Sequence, residues 1–118
     1  MTVIVELPGS AGLWANNQTI MALCHETSGR LEDALECYDR IIEFHHQGRA
    51  GLSPVDLTRA WRRRAECLGK FGRGRRVEAL TSWHKAEEHA GESGDPDLLD
   101  AVRAEMAEAA RGLAEGTA

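Results

Sequence analysis

Gly29-Arg-Leu-Glu-Asp-Ala34-Leu-Glu-Cys-Tyr38-Asp-Arg-Ile41-Ile-Glu decides the architecture of this chain, because a degenerate copy follows it: Gly74-Arg-Arg-Val-Glu-Ala79-Leu-Thr-Ser-Trp83-His-Lys-Ala86-Glu-Glu. In each copy Gly is followed five residues later by Ala, four later by an aromatic, and three later by a small or aliphatic residue. Offsets of four and three return to one face of a helix. Each copy therefore predicts a helix with a small–aromatic–aliphatic stripe and a helix-breaking Gly ahead of it. Repetition at a fixed offset points to a binding scaffold built from repeated units, not to chemistry.

The 118 residues suit one domain, able to bury roughly 65% of the unfolded surface. Apolar residues make up 42% and aromatics only 5%, so the core must come from Leu, Ala, Val and Ile, as helices favour. No secretory leader is recognisable in Met1-Thr-Val-Ile-Val-Glu6, and no run approaches the ~20 apolar residues of a membrane span. Three cysteines without regular spacing suggest reduced thiols in a cytoplasmic protein. The net charge of −5 hides three blocks. Residues 1–58 hold eight acids and three arginines; residues 59–76 hold eight basic residues against Glu66; residues 77–118 hold ten acids and three basic residues.

Five helices are expected around the repeated stretch. Residues 1–12 form an arm or short strand, with loose alternation over 2–7 ended by Pro8-Gly9. Leu13, Trp14, Ile20, Met21, Leu23 and Cys24 suggest a first helix ending at Ser28-Gly29, and the second runs from Leu31 to about His45. Together they make a first pair over residues 13–45. Ser53-Pro54-Val55-Asp56 reads as a helix start close to a capping box. It opens a third helix with Val55, Leu57, Ala60, Trp61, Ala65 and Leu68 facing inward. A fourth spans roughly Arg76 to Ala90, and the two form a second pair over residues 53–90. Asp95-Pro96 caps a fifth over 95–114, with Leu99, Val102, Met106, Ala109 and Leu113 at three–four spacing. The fold class predicted is all-α, with helices in antiparallel hairpins.

These residues resemble the tetratricopeptide repeat (TPR) family, whose pattern W-x2-L-G-x2-Y…A-x3-F…P describes a helix pair of 34 residues. Ala34, Tyr38 and Ile41 stand at its A, F and A positions, and Ala79, Trp83 and Ala86 stand there again. Trp61, Ala65 and Leu68 fit its first helix, given a two-residue insertion near Arg73-Gly74. In the earlier pair Met21 and Ala22 fit, whereas Gln18 and His25 fall where Trp and Tyr belong. Ala34 and Ala79 are 45 residues apart, and neither second helix is followed by the family's proline. The resemblance implies a right-handed stack of two degenerate repeats with a C-terminal capping helix. An unrelated small helical bundle is the alternative.

The resemblance also implies where a partner would sit. With Trp61 at the family's Trp position, Arg59, Arg62, Arg63 and Glu66 fall on the concave face; the equivalents on the first helix are Asn16, Thr19, Ile20, Leu23 and Glu26. Guanidinium forks bind carboxylates bidentately, so the expected partner is a protein or an acidic peptide. The competing reading is a solvated helix face whose arginines pair with nearby acids, including those of the fifth helix. A nucleic-acid-binding or regulatory role for the basic block 59–76 is a second alternative, opposed by the overall acidity and by Phe71 being the one aromatic interleaved at its Arg73-Gly-Arg-Arg76 loop. Cys24-His25, Cys37, His45-His46, Cys67, His84 and His89 show no CxxC or HxxxH spacing, so no metal is expected. No phosphate loop, nucleophile elbow or catalytic constellation is recognisable, so neither an enzyme nor a cofactor is expected. A homodimer would cover the ends of so short a stack.

Overall fold

A computed structural model describes residues 10–115 of the chain, with side chains as far as Gly112. The arm or strand expected over residues 1–12 lies mostly outside them, and residues 10–12 already belong to the first helix. Five α-helices follow in order: α1 (Ser10–Thr27), α2 (Leu31–His46), α3 (Pro54–Gly69), α4 (Arg76–Ser93) and α5 (Pro96–Glu115). A single 3₁₀ turn, Arg73–Arg75, precedes α4. There is no strand among the described residues, and none of these helices is long and apolar enough to cross a membrane.

The helix ends follow from local chemistry. The α1–α2 turn is a Schellman motif: the Arg30 N–H donates to the His25 carbonyl at 2.8 Å and the Gly29 N–H to that of Glu26 at 3.0 Å. Gly29 takes the positive φ of 79° that this turn requires. At α3 the capping box is complete. Ser53 Oγ accepts from the Asp56 N–H at 3.1 Å, and Asp56 Oδ2 accepts from the Ser53 N–H at 3.0 Å. The fourth helix continues past the expected Ala90 to Ser93, because it is Gly94, at φ 76°, that takes the left-handed capping conformation. Asp95 Oδ1 then accepts from the Asp97 and Leu98 N–H groups and starts α5.

Each helix packs on the next in sequence, and α1 also reaches α3. The Cα radius of gyration is 14.9 Å, against about 13.5 Å for a compact chain of this length, and the body measures 54 × 34 × 21 Å. Such a slab suits helices added side by side.

The core lies along the repeated stripes. Ala34 and Tyr38 pack with Leu35, Cys37, Ala22, Cys67, Leu68 and Ala79. Trp61, Ala65, Trp83, Ala86 and Ala90 pack with Ile42 and Val102, and Leu98, Leu99, Met106 and Ala109 close over them from α5. The alanines set the spacing: Ala22, Ala34, Ala65 and Ala86 are at most 1% exposed, so their helices approach closely around the rings of Tyr38 and Trp83. Burying each such ring contributes about 2–3 kcal/mol.

One expectation about inward residues needs correction. Val55 is exposed, because it lies one turn before Arg59 on the same side of α3. On α1, Leu13, Ile20, Met21 and Cys24 all face outward, while the smaller Ala15, Thr19 and Ala22 are buried. Gln18, where the TPR pattern has Trp, carries a buried Oε1 without a hydrogen-bond partner among the described residues.

Candidate functional site

Helical phase separates the arginines of α3. Arg59, Arg62 and Arg63 lie on one side and, with Val55, Thr58, Glu66 and Leu98 of α5, line a recess of about 280 Å³. Arg64 is one residue further round and turns away. Its Nε donates to Asp39 Oδ1 at 2.7 Å, a terminal nitrogen donates to buried Ser82 Oγ at 2.7 Å, and its guanidinium lies 5.6 Å from the Trp61 ring. It staples α3 to α2 and α4.

The three recess arginines differ in how firmly they are held. Arg62 forks Glu105 of α5, with Nε to Oε1 at 3.0 Å and a second bond to Oε2. Among the described residues Arg59 and Arg63 reach only acids of their own helix, Asp56 at 3.9 Å and Glu66 at 3.7 Å, and both side chains are nearly half exposed. Loose, solvated pairs of this type contribute about 0–1 kcal/mol, so a carboxylate arriving from outside displaces them cheaply. Thr58 offers no free donor, since its hydroxyl donates to the Pro54 carbonyl at 2.7 Å.

None of the five partner-face residues expected on α1 lines this recess, and Ile20 among them is exposed elsewhere on the surface. Asn16 is exposed and Leu23 half-buried. Thr19 is buried and donates to the carbonyl of Ala15 at 3.0 Å. Glu26 is withdrawn from the surface: its side chain is 6% exposed, accepting from the Tyr38 hydroxyl at 2.6 Å and from Lys70 Nζ at 2.8 Å. Burial, then the bond to Glu26, pushes the Tyr38 hydroxyl pKa far above its ordinary range. Lys70 is raised by its own hydrogen bond to the Glu26 carboxylate. Burial pushes the Cys67 thiol up to about 11 and raises Cys37 as well, which keeps both protonated and poorly nucleophilic at neutral pH.

An apolar groove of about 540 Å³ adjoins the recess, and sequence reasoning missed it. Trp83, Leu80, Ala65 and Ala109 wall it, Gly69, Gly72 and Gly112 leave it open, and Arg76 and Glu108 stand at its edge. Glu66 belongs to both hollows, and Glu105, the Arg62 partner, lines the groove. The Arg62–Glu105 bridge therefore stands between a basic recess and an apolar one. That an α3 arginine pairs with an acid of α5 is what the competing reading of the sequence expected; which two residues pair, 43 apart, had no local signal.

The histidines show one contact that spacing did not suggest: His45 and His89 meet edge to face at 5.9 Å, and His89 Nδ1 lies 2.7 Å from Glu92. Among the described residues no group of three His, Cys, Asp or Glu side chains is arranged to hold a metal ion. All three cysteines are free. Comparison of the chain with protein-family models, with curated proteins and with solved structures returns no match, which leaves the residues and their geometry to carry the functional reading.

Proposed function

We propose that this chain is a non-catalytic, TPR-like protein-interaction module that holds an acidic peptide segment against α3 and α5. The supporting observation is the recess itself. Arg59, Arg62 and Arg63 line one hollow together with Val55 and Leu98, next to an apolar groove walled by Trp83 and Leu80. A ligand with a carboxylate beside an apolar side chain matches both halves. Hydrogen bonds to a charged group contribute about 1.5–3 kcal/mol each, and a buried apolar side chain contributes a similar amount. After the cost of ordering a flexible peptide, the expected affinity is micromolar, or about −8 kcal/mol. The serial packing α1 to α5, with α1 also touching α3, is the neighbour pattern a stack of helix pairs has. Free cysteines suit a cytoplasmic setting.

Nucleic-acid binding by the basic block 59–76 has less support. Arg64 is held by Asp39, Lys70 by Glu26, and Arg75 by Glu32 and Glu78 while stacking on Phe71. With Arg62 held by Glu105 as well, half of the block's eight basic side chains are engaged by carboxylates, which weakens it as a phosphate-neutralising surface.

The test is fluorescence anisotropy against an array of labelled dodecapeptides carrying Asp or Glu beside one apolar residue. The Arg59→Ala/Arg63→Ala variant should bind at least ten-fold more weakly, with an unchanged helical circular dichroism spectrum. Undiminished binding by that variant, or no peptide bound below 1 mM, refutes the reading.

A further inference from the structure

The outer face of α1 is unlike the rest of the surface. From Ser10 to Cys24 the sequence has no charged residue, in a chain where 28% of residues are charged. Three of the large apolar side chains left exposed lie there: Leu13 at 69%, Ile20 at 51% and Met21 at 45%. Leu13 and Ile20 are seven residues apart, within about 20° of one line down a helix, with exposed Asn16 and Asn17 between them. The opposite side, Ala15, Thr19 and Ala22, is already packed inward, and α1 meets α2 and α3. The other end of the molecule is finished differently: α5 turns Arg103, Ala104, Ala107, Glu108 and Arg111 to solvent. A stack of helices needs a polar outer face at each end to remain a monomer. Here α5 has one and α1 does not.

We propose that this face of α1 pairs with the same face of a second copy, antiparallel, about a two-fold axis passing between Asn16 and Asn17. The pattern Leu13-x-x-Asn16-Asn17-x-x-Ile20 reads alike in both directions. Under that axis Leu13 of one copy meets Ile20 of the other, and Asn16 and Asn17, one on each side of the Leu13–Ile20 line, each meet their own counterpart. An isologous contact requires such self-complementarity. The paired amides exchange hydrogen bonds and fix the register, as a lone buried Asn does in a coiled-coil seam. The net charge of −5 on each copy opposes self-association, and this uncharged strip lets two copies meet without bringing like charges together. The 18-residue helix offers a contact about 27 Å long, at the small end of specific interfaces, so dissociation in the ten-micromolar range is expected. Salt screens the repulsion and leaves apolar burial intact, so this dimer tightens with salt. Acidic-peptide binding at the arginine recess weakens. Asn16, placed by resemblance on the partner face, belongs to this seam instead.

Sedimentation velocity on the full chain between 5 and 500 µM, at 0.05 and 0.5 M NaCl, tests the pairing. The unmodified protein should shift from monomer to dimer, at lower concentration in high salt. Leu13→Glu and Ile20→Lys should each raise the dissociation constant at least 30-fold with unchanged thermal stability. Mixed in equal amounts, the two variants should dimerise again, because position 13 of one copy faces position 20 of the other. A monomer at 500 µM overturns the proposal, as does a dimer indifferent to both substitutions. Failure of the mixture to recover overturns the antiparallel register. A marked fall in melting temperature in a monomeric variant also overturns it, since the face would then be covered within one chain.

Discussion

Replacing Glu26 by Ala separates a folding role from a ligand-binding one. The carboxylate is 6% exposed and accepts two bonds, from the Tyr38 hydroxyl at 2.6 Å and from Lys70 at 2.8 Å. Tyr38 is fully buried, so truncating Glu26 leaves a hydroxyl with no acceptor in a site closed to water. Losing the charge-assisted bond and stranding the donor together cost about 2–3 kcal/mol. The Lys70 half is worth much less: that side chain is 55% exposed, and solvated pairs contribute about 0–1 kcal/mol. Tyr38→Phe should cost about 1–1.5 kcal/mol, because Glu26 retains Lys70. Urea unfolding followed at 222 nm, with a slope of about 1.5 kcal/mol per molar, should shift its midpoint by roughly 1.3–2 M for Glu26→Ala and by under about 0.7 M for Lys70→Ala. The double variant Tyr38→Phe/Glu26→Ala should fall short of additivity by at least about 1 kcal/mol. If Glu26→Ala lies within 0.5 kcal/mol of the unmodified protein, or matches Lys70→Ala, Glu26 is not a buried structural acceptor.

Stability should also fall in alkali. Burial raises the folded Cys67 thiol from an ordinary 9.0 to about 11, so its contribution is whole below pH 9 and lost as the pH climbs towards 11, a change of about 2–3 kcal/mol. Tyr38, also raised, acts in the same direction above pH 10. Urea titrations from pH 8 to 10 should show a shallower decline for Cys67→Ala than for the unmodified chain; equal slopes refute this. Ser53→Ala removes one half of the α3 capping box and should cost about 1 kcal/mol, near 4 °C in melting temperature by calorimetry. A loss below 1 °C would mean that the Pro54 start alone sets the helix end.

Much of the helical layout was legible because its determinants are local. The stripes Ala34–Tyr38–Ile41 and Ala79–Trp83–Ala86 repeat within one helix each, and all six residues are buried. The caps at Ser53 and Asp95 are read from three or four adjacent residues. On α1 this logic had nothing to act on. Its residues are apolar on every side, so periodicity could not say that Ala15 and Ala22 pack inward while Leu13 and Ile20 do not. Val55 was misread because it was counted as an apolar residue without its phase, which is that of Arg59.

The arginine block shows why a site is harder to read than a helix. By count, α3 offers four arginines, but a rotation of about 100° per residue sends Arg64 into the structure and leaves three at the recess. Of those three, the partners decide which charge is available, and although the acid-rich fifth helix was legible as a source of partners, which arginine it holds was not. Arg62 finds Glu105 from 43 residues away, whereas Arg59 and Arg63 find only acids three residues off. The first kind of pair fixes the position of α5 and so shapes the wall between the recess and the apolar groove. The second kind is weak and solvated, which leaves its arginines free to exchange partners. The α1 strip, with no charge at all, can gain nothing from such exchange and depends on burial alone. Rising salt should therefore loosen the acidic ligand while tightening the dimer, and that opposition assigns each surface its own binding mode.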